Sequence, residues 1–122
     1  MSTPRIFIVA EDGEFLSTVR QALQAGGEMS IFTATDSQTA LRLLPEIRPD
    51  LILIDARMLW VQEAGLPIKA RRFSSAPILF LNPPGGARFP VQGQAGGNGF
   101  ISRVRNALVS AGIRVTSLGV ML

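Results

Sequence analysis

The sequence predicts an α/β fold in which helices cover both faces of a doubly wound, five-stranded parallel sheet. Segments of β-prone residues alternate along the chain with segments whose apolar residues recur at helical spacing, a pattern typical of β–α–β units. Three of the β-prone segments are unbroken apolar runs, at residues 6–9, 51–54 and 78–81. Because a strand buried on both faces of a sheet carries apolar side chains at every position, these runs indicate the central strands.

The other elements lie between these three runs. A first helix is predicted over residues 15–23, and residues 31–34 are predicted to form the second strand. Asp36 is a suitable N-cap for a second helix, which Pro45 should kink or tighten in its last turn. A short third helix is predicted from about residue 66, where a Pro occupies the first turn.

The segment that follows the fourth strand breaks this regular alternation. Residues 83–99 are rich in Pro and Gly, so we expect the helix there to be shortened or irregular. Phe100-Ile101 is predicted as a minimal fifth strand, and residues 104–111 as the last helix. The apolar, β-prone residues 113–122 are predicted to form a C-terminal tail to a single domain of residues 1–112.

Composition narrows the classes of function. The chain has no Cys and no His, which removes thiolate nucleophiles, imidazole bases and the usual zinc ligands, so any metal should be a hard cation held by oxygen, such as magnesium. The net charge of +3 is mild, and basic residues cluster only at Lys69, Arg71 and Arg72, so nucleic-acid binding is not expected. No apolar run is long enough to cross a bilayer or to form a secretory signal, and we therefore expect a cytoplasmic protein without membrane insertion.

The residues that follow the predicted strands should meet at one edge of the sheet. They are Glu11 after the first strand, Asp55 after the third, Asn82 after the fourth and Arg103 after the fifth. Ligands of open parallel sheets bind beyond the carboxyl ends of the strands, so this edge is the candidate site. The strongest single indication is Asp55, a carboxylate that directly ends a run of four aliphatic residues.

Four segments of the chain resemble the receiver domain of two-component response regulators. Residues 46–55 (EIRPDLILID) are similar to the approach to the receiver's phospho-accepting aspartate, and residues 6–12 (IFIVAED) to its first strand and acidic pair. Residues 76–81 (APILFL) are similar to its fourth strand, and residues 94–100 (QAGGNGF) to the run into its fifth. The resemblance covers residues 5 to about 111 and implies a flavodoxin-like receiver topology.

The resemblance also implies roles for individual residues. Asp55 matches the aspartate that accepts a phosphoryl group from a kinase phosphohistidine, and Glu11 and the backbone carbonyl of Arg57 match ligands of a magnesium ion. Asn82 stands where the family has the Thr or Ser that bonds the phosphate, and Phe100 matches the aromatic residue that moves with it. The implied partner is a histidine kinase or another signalling protein.

Several activation residues of the family are replaced. Ala10 stands where the first acid of the pair is expected. Arg103 matches the family's phosphate-pairing Lys in one alignment, whereas a second alignment puts Arg103 inside the last helix and leaves no cation in this place. The guanidinium of Arg57 either folds over Asp55 and Glu11 and partly replaces the charge of the metal, or points into solvent.

The resemblance implies a regulatory protein module and not an enzyme, and the replacements decide between two mechanisms for it. The favoured interpretation is a pseudo-receiver that acts through protein–protein contacts without phosphorylation. The alternatives are a true receiver, phosphorylated on Asp55 by a histidine kinase with magnesium, and a small flavodoxin-like binder of a ligand or nucleotide. Magnesium binding should be weak, because one acid is missing. The tail either covers its own chain or pairs with a second copy, and a homodimer is the favoured outcome.

Overall fold

The computed structural model describes residues 3–25, 27–58, 65–82 and 99–117, and these build a sheet with the strand order β2-β1-β3-β4-β5. Along the chain the elements are β1 (Arg5–Val9), α1 (Gly13–Gln24), β2 (Ser30–Ala34), α2 (Ser37–Ile47), β3 (Leu51–Asp55), α3 (Leu66–Ala70), β4 (Ile78–Leu81), α4 (Gly99–Ser110) and β5 (Val115–Ser117). Strands β1 to β4 are parallel to their neighbours, and β5 is antiparallel to β4. The predicted α/β architecture is confirmed for the four parallel strands.

The register of the central strands aligns their ends at one edge of the sheet. Val9 of β1 lies opposite Ile54 of β3, and Asp55 lies opposite Leu81 of β4. All residues of β3 are buried, and β1 is buried beyond its first residue. Because the parallel strands end on the same side, the residues that follow their apolar runs come together at this carboxyl edge.

Alternating side chains of the strands build one core on each face of the sheet. Ile6 and Ile8 of β1 point to the face covered by α1 and α4, whereas Phe7 and Val9 point to the face covered by α2 and α3. The α1/α4 core consists of Ile6, Ile8, Ala10, Leu16, Val19, Leu23, Leu51, Leu53, Leu79, Leu81, Val104, Leu108 and Ile113. The α2/α3 core consists of Phe7, Val9, Ala34, Ala40, Leu44, Ile47, Ile52, Ile54, Met58, Leu66, Ala70, Ala76 and Ile78.

Capping residues mark the ends of helices α1 and α2. Asp36 caps α2 as predicted and accepts a backbone N–H bond from Thr39, which lowers the pKa of Asp36 below its usual value. Asp12 caps α1 in the same way. Pro45 lies in the last turn of α2, and Arg48 ends that helix with a left-handed φ of 52°. None of the described helices is long and apolar enough to span a membrane.

The predicted fifth strand at Phe100-Ile101 is wrong. Both residues lie in the first turn of α4, which begins at Gly99 and not at the predicted residue 104. Their side chains belong to a helical repeat with Val104 and Leu108, four and eight positions after Phe100, and this face packs in the α1/α4 core. The two adjacent apolar residues therefore begin a helical repeat that runs through the next two turns, and they do not form a strand.

The predicted tail supplies the fifth strand instead. Val115 of β5 lies opposite Leu81 of β4 in antiparallel orientation, and Ile113 is buried in the α1/α4 core. Gly112 has a φ of 85°, which a glycine adopts without strain, and it turns the chain from α4 toward β5. The sheet is therefore mixed at this edge, because β5 pairs with β4 of its own chain.

Two predictions concern residues that lie outside the described ranges. One is the shortened or irregular helix within residues 83–98, and the other is the role of residues 118–122 of the tail. Homodimerisation through the tail stays a prediction. In the described residues, the edge of β4 is paired with β5 of the same chain.

Shortening Ile113 tests whether the start of the tail belongs to the folded domain. We expect Ile113→Ala to lower the free energy of unfolding by about 2–4 kcal/mol, because it removes a fully packed side chain from the α1/α4 core. Val109→Ala, at an exposed position of α4, is the matched control and should change this free energy by less than about 0.5 kcal/mol. Urea unfolding followed by circular dichroism measures both, and equally small effects would contradict the packing of the tail.

Candidate functional site

The carboxyl edge of the sheet brings together three of the predicted site residues. Glu11 follows β1 by two positions, Asp55 ends β3, and Asn82 follows β4 directly. The pairing of Val9 with Ile54 puts Ala10 beside Asp55, so a buried methyl group lies where the receiver resemblance led us to expect an acid. Glu11 is exposed to solvent, Asn82 is half-buried and Asp55 is buried.

Asp55 is a buried carboxylate whose two oxygens are both bonded by Arg57. Nε of Arg57 donates to Oδ1 at 3.0 Å and to Oδ2 at 3.3 Å, while Nη2 donates to Oδ2 at 2.9 Å. The backbone N–H of Arg57 donates a further bond to Oδ1 at 3.0 Å. Among the described residues, Asp55 is the one charged residue that is buried. The two-pronged contact matches the planar guanidinium to the carboxylate, which strengthens the pair and fixes its orientation.

The tight path of the chain after β3 turns Arg57 back over Asp55. The N–H of Ala56 donates to the carbonyl of Leu81 at 2.8 Å, which extends the pairing with β4 by one residue. The N–H of Met58 then donates to the carbonyl of Asp55 at 3.2 Å, and the Met58 side chain is buried in the α2/α3 core. With residues on both sides fixed, Arg57 is the exposed residue of this turn.

Phe15 of α1 supports the guanidinium from a third direction. The Cζ atom of Arg57 lies 4.7 Å from the centroid of the Phe15 ring, within the range of a cation–π interaction. Hydrogen bonding to Asp55 raises the pKa of Arg57 above its ordinary value, against the effect of desolvation, and the nearby charge of Asp12 adds to the rise. The Arg57 side chain is 51% exposed and that of Asp55 only 4%, so the guanidinium covers the carboxylate and faces the solvent itself.

The sequence predicted part of this arrangement. Of the two alternatives for Arg57, the structure has the one in which the guanidinium folds over Asp55. Phe15 was predicted only as an apolar residue of the first helix, and its contact with Arg57 was missed. The position of Phe15 could have predicted this contact. The helix that follows β1 begins at the carboxyl edge of the sheet, and Asp55 lies at the same edge.

Asn82 lies at this edge in an unusual backbone conformation. Its φ is 52°, in the left-handed region that Asn tolerates better than most residues. Its N–H donates to the carbonyl of Arg114 at 2.8 Å, one position before β5 begins. Asn82 therefore joins β4 to the antiparallel strand, and its predicted contact with a phosphate stays a prediction.

Arg103 and Phe100 lie elsewhere than the receiver resemblance implied. Arg103 is exposed in the first half of α4, as in the second of the two alignments, and its Cζ lies 6.0 Å from the Phe100 ring centroid. It lines a shallow groove with Ala22 and Ala25, at the opposite end of α1 from Asp12, and Ala22 and Asp12 are about 15 Å apart along the helix axis. Both residues therefore lie on a helix and not at a fifth strand, and their predicted roles as a phosphate-pairing cation and a mobile aromatic residue stay predictions.

The residues at this edge fit a magnesium ion poorly. Magnesium prefers near-octahedral oxygen ligands, including one or two carboxylates. Here Ala10 offers no carboxylate where the receiver resemblance led us to expect one, and Arg57 bonds both oxygens of Asp55. Within the described ranges, no three carboxylates lie where they could hold one ion. The positive charge next to Asp55 comes from Arg57 instead.

Comparison with known proteins relates the chain to bacterial regulators. No protein-family model matches it. The transcriptional regulatory protein PrrA of Mycobacterium leprae is 36% identical to it over 58 residues, and PrrA of Mycobacterium tuberculosis is 34% identical over 58 residues. The match covers 48% of this chain and 24% of each PrrA protein. This similarity to a response regulator agrees with the receiver resemblance and with a role in signalling.

A double-mutant cycle on Asp55 and Arg57 measures the strength of their contact. Arg57→Gln should lower the free energy of unfolding, because the buried carboxylate loses its guanidinium partner. Asp55→Asn should then cost less in this background than in the wild type, with a coupling energy of about 1–2 kcal/mol, since the exposure of Arg57 weakens the pair. Arg20→Gln, at an exposed position of α1, is the control, and a coupling energy near zero between Asp55 and Arg57 would disprove the contact.

Replacing Phe15 tests the contact between its ring and the guanidinium. Phe15→Leu keeps an apolar side chain but removes the ring face, and it should lower the free energy of unfolding by about 0.5–1 kcal/mol. The same change should have a smaller effect in the Arg57→Gln background, where no cation remains. Phe32→Leu, at an exposed position of β2, is the control. An equal effect of Phe15→Leu in both backgrounds would assign Phe15 to packing alone.

Proposed function

We propose that this chain is a regulatory signalling module of the pseudo-receiver type, which acts through protein–protein contacts without phosphorylation of Asp55. The observation that carries the proposal is the two-pronged contact of Arg57 with both oxygens of Asp55. The similarity to PrrA supports the regulatory role. The partner class is a signalling protein of the cytoplasm, such as a histidine kinase.

The contact with Arg57 should slow phosphoryl transfer to Asp55. In that reaction a carboxylate oxygen attacks phosphorus, and the bond to the leaving group breaks with its electron pair. Either oxygen of Asp55 would first have to give up bonds to Arg57. Hydrogen bonds between charged groups contribute about 1.5–3 kcal/mol, less when a partner is half-exposed, and even about 1.4 kcal/mol slows attack roughly tenfold.

In the receiver family a magnesium ion and a Lys assist this transfer. The residues that would supply these two positive charges differ in this chain. We propose that magnesium binds weakly at the carboxyl edge, because Glu11 is the one further carboxylate of the acidic pair and Ala10 has replaced the other. We propose that Arg103, which lies on α4, does not take the place of the phosphate-pairing Lys. Among the described residues, Arg57 is the cation paired with Asp55, and an incoming phosphoryl group with a charge of about −2 would meet it first.

The guanidinium that pairs with Asp55 belongs to the chain itself, so no ion or added group is needed to neutralise the carboxylate. In a receiver, by contrast, the charge at the aspartate changes when a phosphoryl group is added or lost. The charge balance of this edge is therefore constant, which favours contacts that are constitutive or controlled by the partner. The runner-up function, a true receiver, requires Arg57 to leave Asp55 before each phosphorylation.

Intact-mass analysis after incubation with acetyl phosphate and magnesium distinguishes these two functions. The wild-type chain should gain little or none of the mass of one phosphoryl group, since Arg57 bonds both oxygens of the acceptor. Asp55→Asn is the control for transfer to any other residue. Rapid, near-stoichiometric labelling of the wild type that Asp55→Asn abolishes would overturn the pseudo-receiver proposal in favour of a true receiver.

A further inference from the structure

Strand β2 forms one outer edge of the sheet in the described part of the chain. It pairs with β1 through five consecutive residue pairs, from Arg5 with Ser30 to Val9 with Ala34. No described strand pairs with its other side. The register does not shift along these five pairs, so the strand contains no bulge that would turn its outer side away. We call this outer side of residues 30–34 the β2 edge.

The backbone groups of Ile31 and Thr33 point outward from the β2 edge. The N–H of Ser30 donates to the carbonyl of Pro4 at 2.8 Å, so Ser30 bonds toward β1. Successive residues of a strand direct their backbone groups to opposite sides, and Phe32 therefore also bonds toward β1. Ile31 and Thr33 each present an N–H donor and a carbonyl acceptor to the outside, one on each side of Phe32.

The β2 edge lacks the features that usually prevent an edge strand from pairing. Residues 30–34 (SIFTA) include no charged residue, no Pro and no Gly. Strand β5, at the opposite edge of the sheet, is protected by being only three residues long. Phe32 adds apolar surface, because it lies opposite Phe7 in the register and is 37% exposed. The β2 edge is therefore a template on which a further strand can pair.

We propose that the β2 edge pairs in antiparallel orientation with the β2 edge of a second copy of this chain, about a two-fold axis at Phe32. Ile31 of each copy then lies opposite Thr33 of the other, and each of these two pairs exchanges two backbone hydrogen bonds. The two Phe32 side chains lie opposite each other at the axis, with their Cα atoms about 4.5 Å apart. The dimer goes beyond the proposed function and does not depend on the state of Asp55.

The spacing of the outward groups favours a second copy and fixes its register. Two outward residues at equal distances from a central residue make the β2 edge complementary to itself, as a two-fold interface requires. An axis at Ile31 would put Thr33 opposite Met29, and an axis at Thr33 would put Ile31 opposite Thr35. Both Met29 and Thr35 lie outside β2, so only the axis at Phe32 pairs both outward residues within the strand.

Charge limits the length of this pairing. In the register centred on Phe32, Glu28 of one copy would come opposite Asp36 of the other. Like charges directly opposite each other destabilise paired strands, so the pairing ends between these two acids. A short pairing of this kind gives a small interface, and we expect a reversible dimer with a Kd in the micromolar to millimolar range, below about 1 mM.

Disulfide trapping tests the register, since the chain has no Cys and a single introduced Cys is its one thiol. Phe32→Cys places the two thiols at the axis, where the distance between the Cα atoms suits a disulfide. In Ile31→Cys and Thr33→Cys the two thiols lie on a diagonal of about 7–8 Å, beyond the usual reach of a disulfide. Phe32→Cys should therefore form covalent dimers at least about tenfold faster than either neighbour or the exposed control Val109→Cys.

Sedimentation equilibrium of the full chain measures the dimer without any cross-link. Thr33→Pro should raise the Kd at least about tenfold, because it removes an outward N–H and places a ring at the edge. Its intramolecular pairing should persist, since Pro is tolerated in an edge strand where the N–H faces away from the sheet. The matched control Thr33→Val keeps the backbone donor and should change the Kd by less than about twofold. Circular dichroism verifies that both variants fold.

Three results would overturn the inference. One is sedimentation of the wild-type chain as a monomer up to about 1 mM. The second is a dimer that Thr33→Pro leaves unchanged, which would assign the contact to another surface such as the C-terminal tail. The third is trapping that is as fast at Ile31→Cys, Thr33→Cys or Val109→Cys as at Phe32→Cys. Labelling of Asp55 by acetyl phosphate would reject the pseudo-receiver proposal alone and leave this inference in place.

Discussion

The burial of one negative charge at the end of the central strand governs the candidate site. Asp55 ends a strand of buried residues, and a carboxylate removed from water in this way needs a partner of opposite charge. Arg57 meets that need from two residues away, through a turn that Met58 anchors in the core. Phe15 then holds the guanidinium from the side of α1. The pair of Asp55 and Arg57 is thus held mainly by residues next to it in the sequence, and Phe15 of α1 supplies the contact from a distant part of the chain.

The contact between Asp55 and Arg57 depends on a sheet that is packed on both faces. Strands β1, β3 and β4 are held in register by their neighbours and by a core on each side, so the positions of their carboxyl ends vary little. Function can then differ through a few residues at the edge while the interior stays the same. In this chain, Ala10 and Arg57 determine the electrostatics of the edge, while the four parallel strands fix where it lies.

The fold was largely predictable because its central strands are continuous apolar runs with clear helix caps between them. The position of Asp55 followed from the same runs, and the Arg57 contact was one of two stated alternatives. The C-terminal third was less predictable for a physical reason. Phe100-Ile101 fits a strand or a helix when viewed alone, and only the spacing to Val104 and Leu108 decides between them. The antiparallel pairing of β5 depends on a distant strand, which no local pattern in the tail encodes.

The antiparallel strand also sets which part of the domain opens most readily. Leu81 and Val115 are 34 positions apart in the chain (115 − 81), and β5 pairs with β4 through three residues, against five pairs between β1 and β2. Docking of β5 therefore closes a long loop for little hydrogen bonding, and the strand belongs among the last elements to form and the first to detach. We expect native-state hydrogen exchange to show β5 as a separate opening unit of low free energy, distinct from more slowly exchanging amides of β1 and β3. Each opening exposes the edge of β4 next to Asn82, so the stability of the last strand limits how long the carboxyl edge keeps its shape.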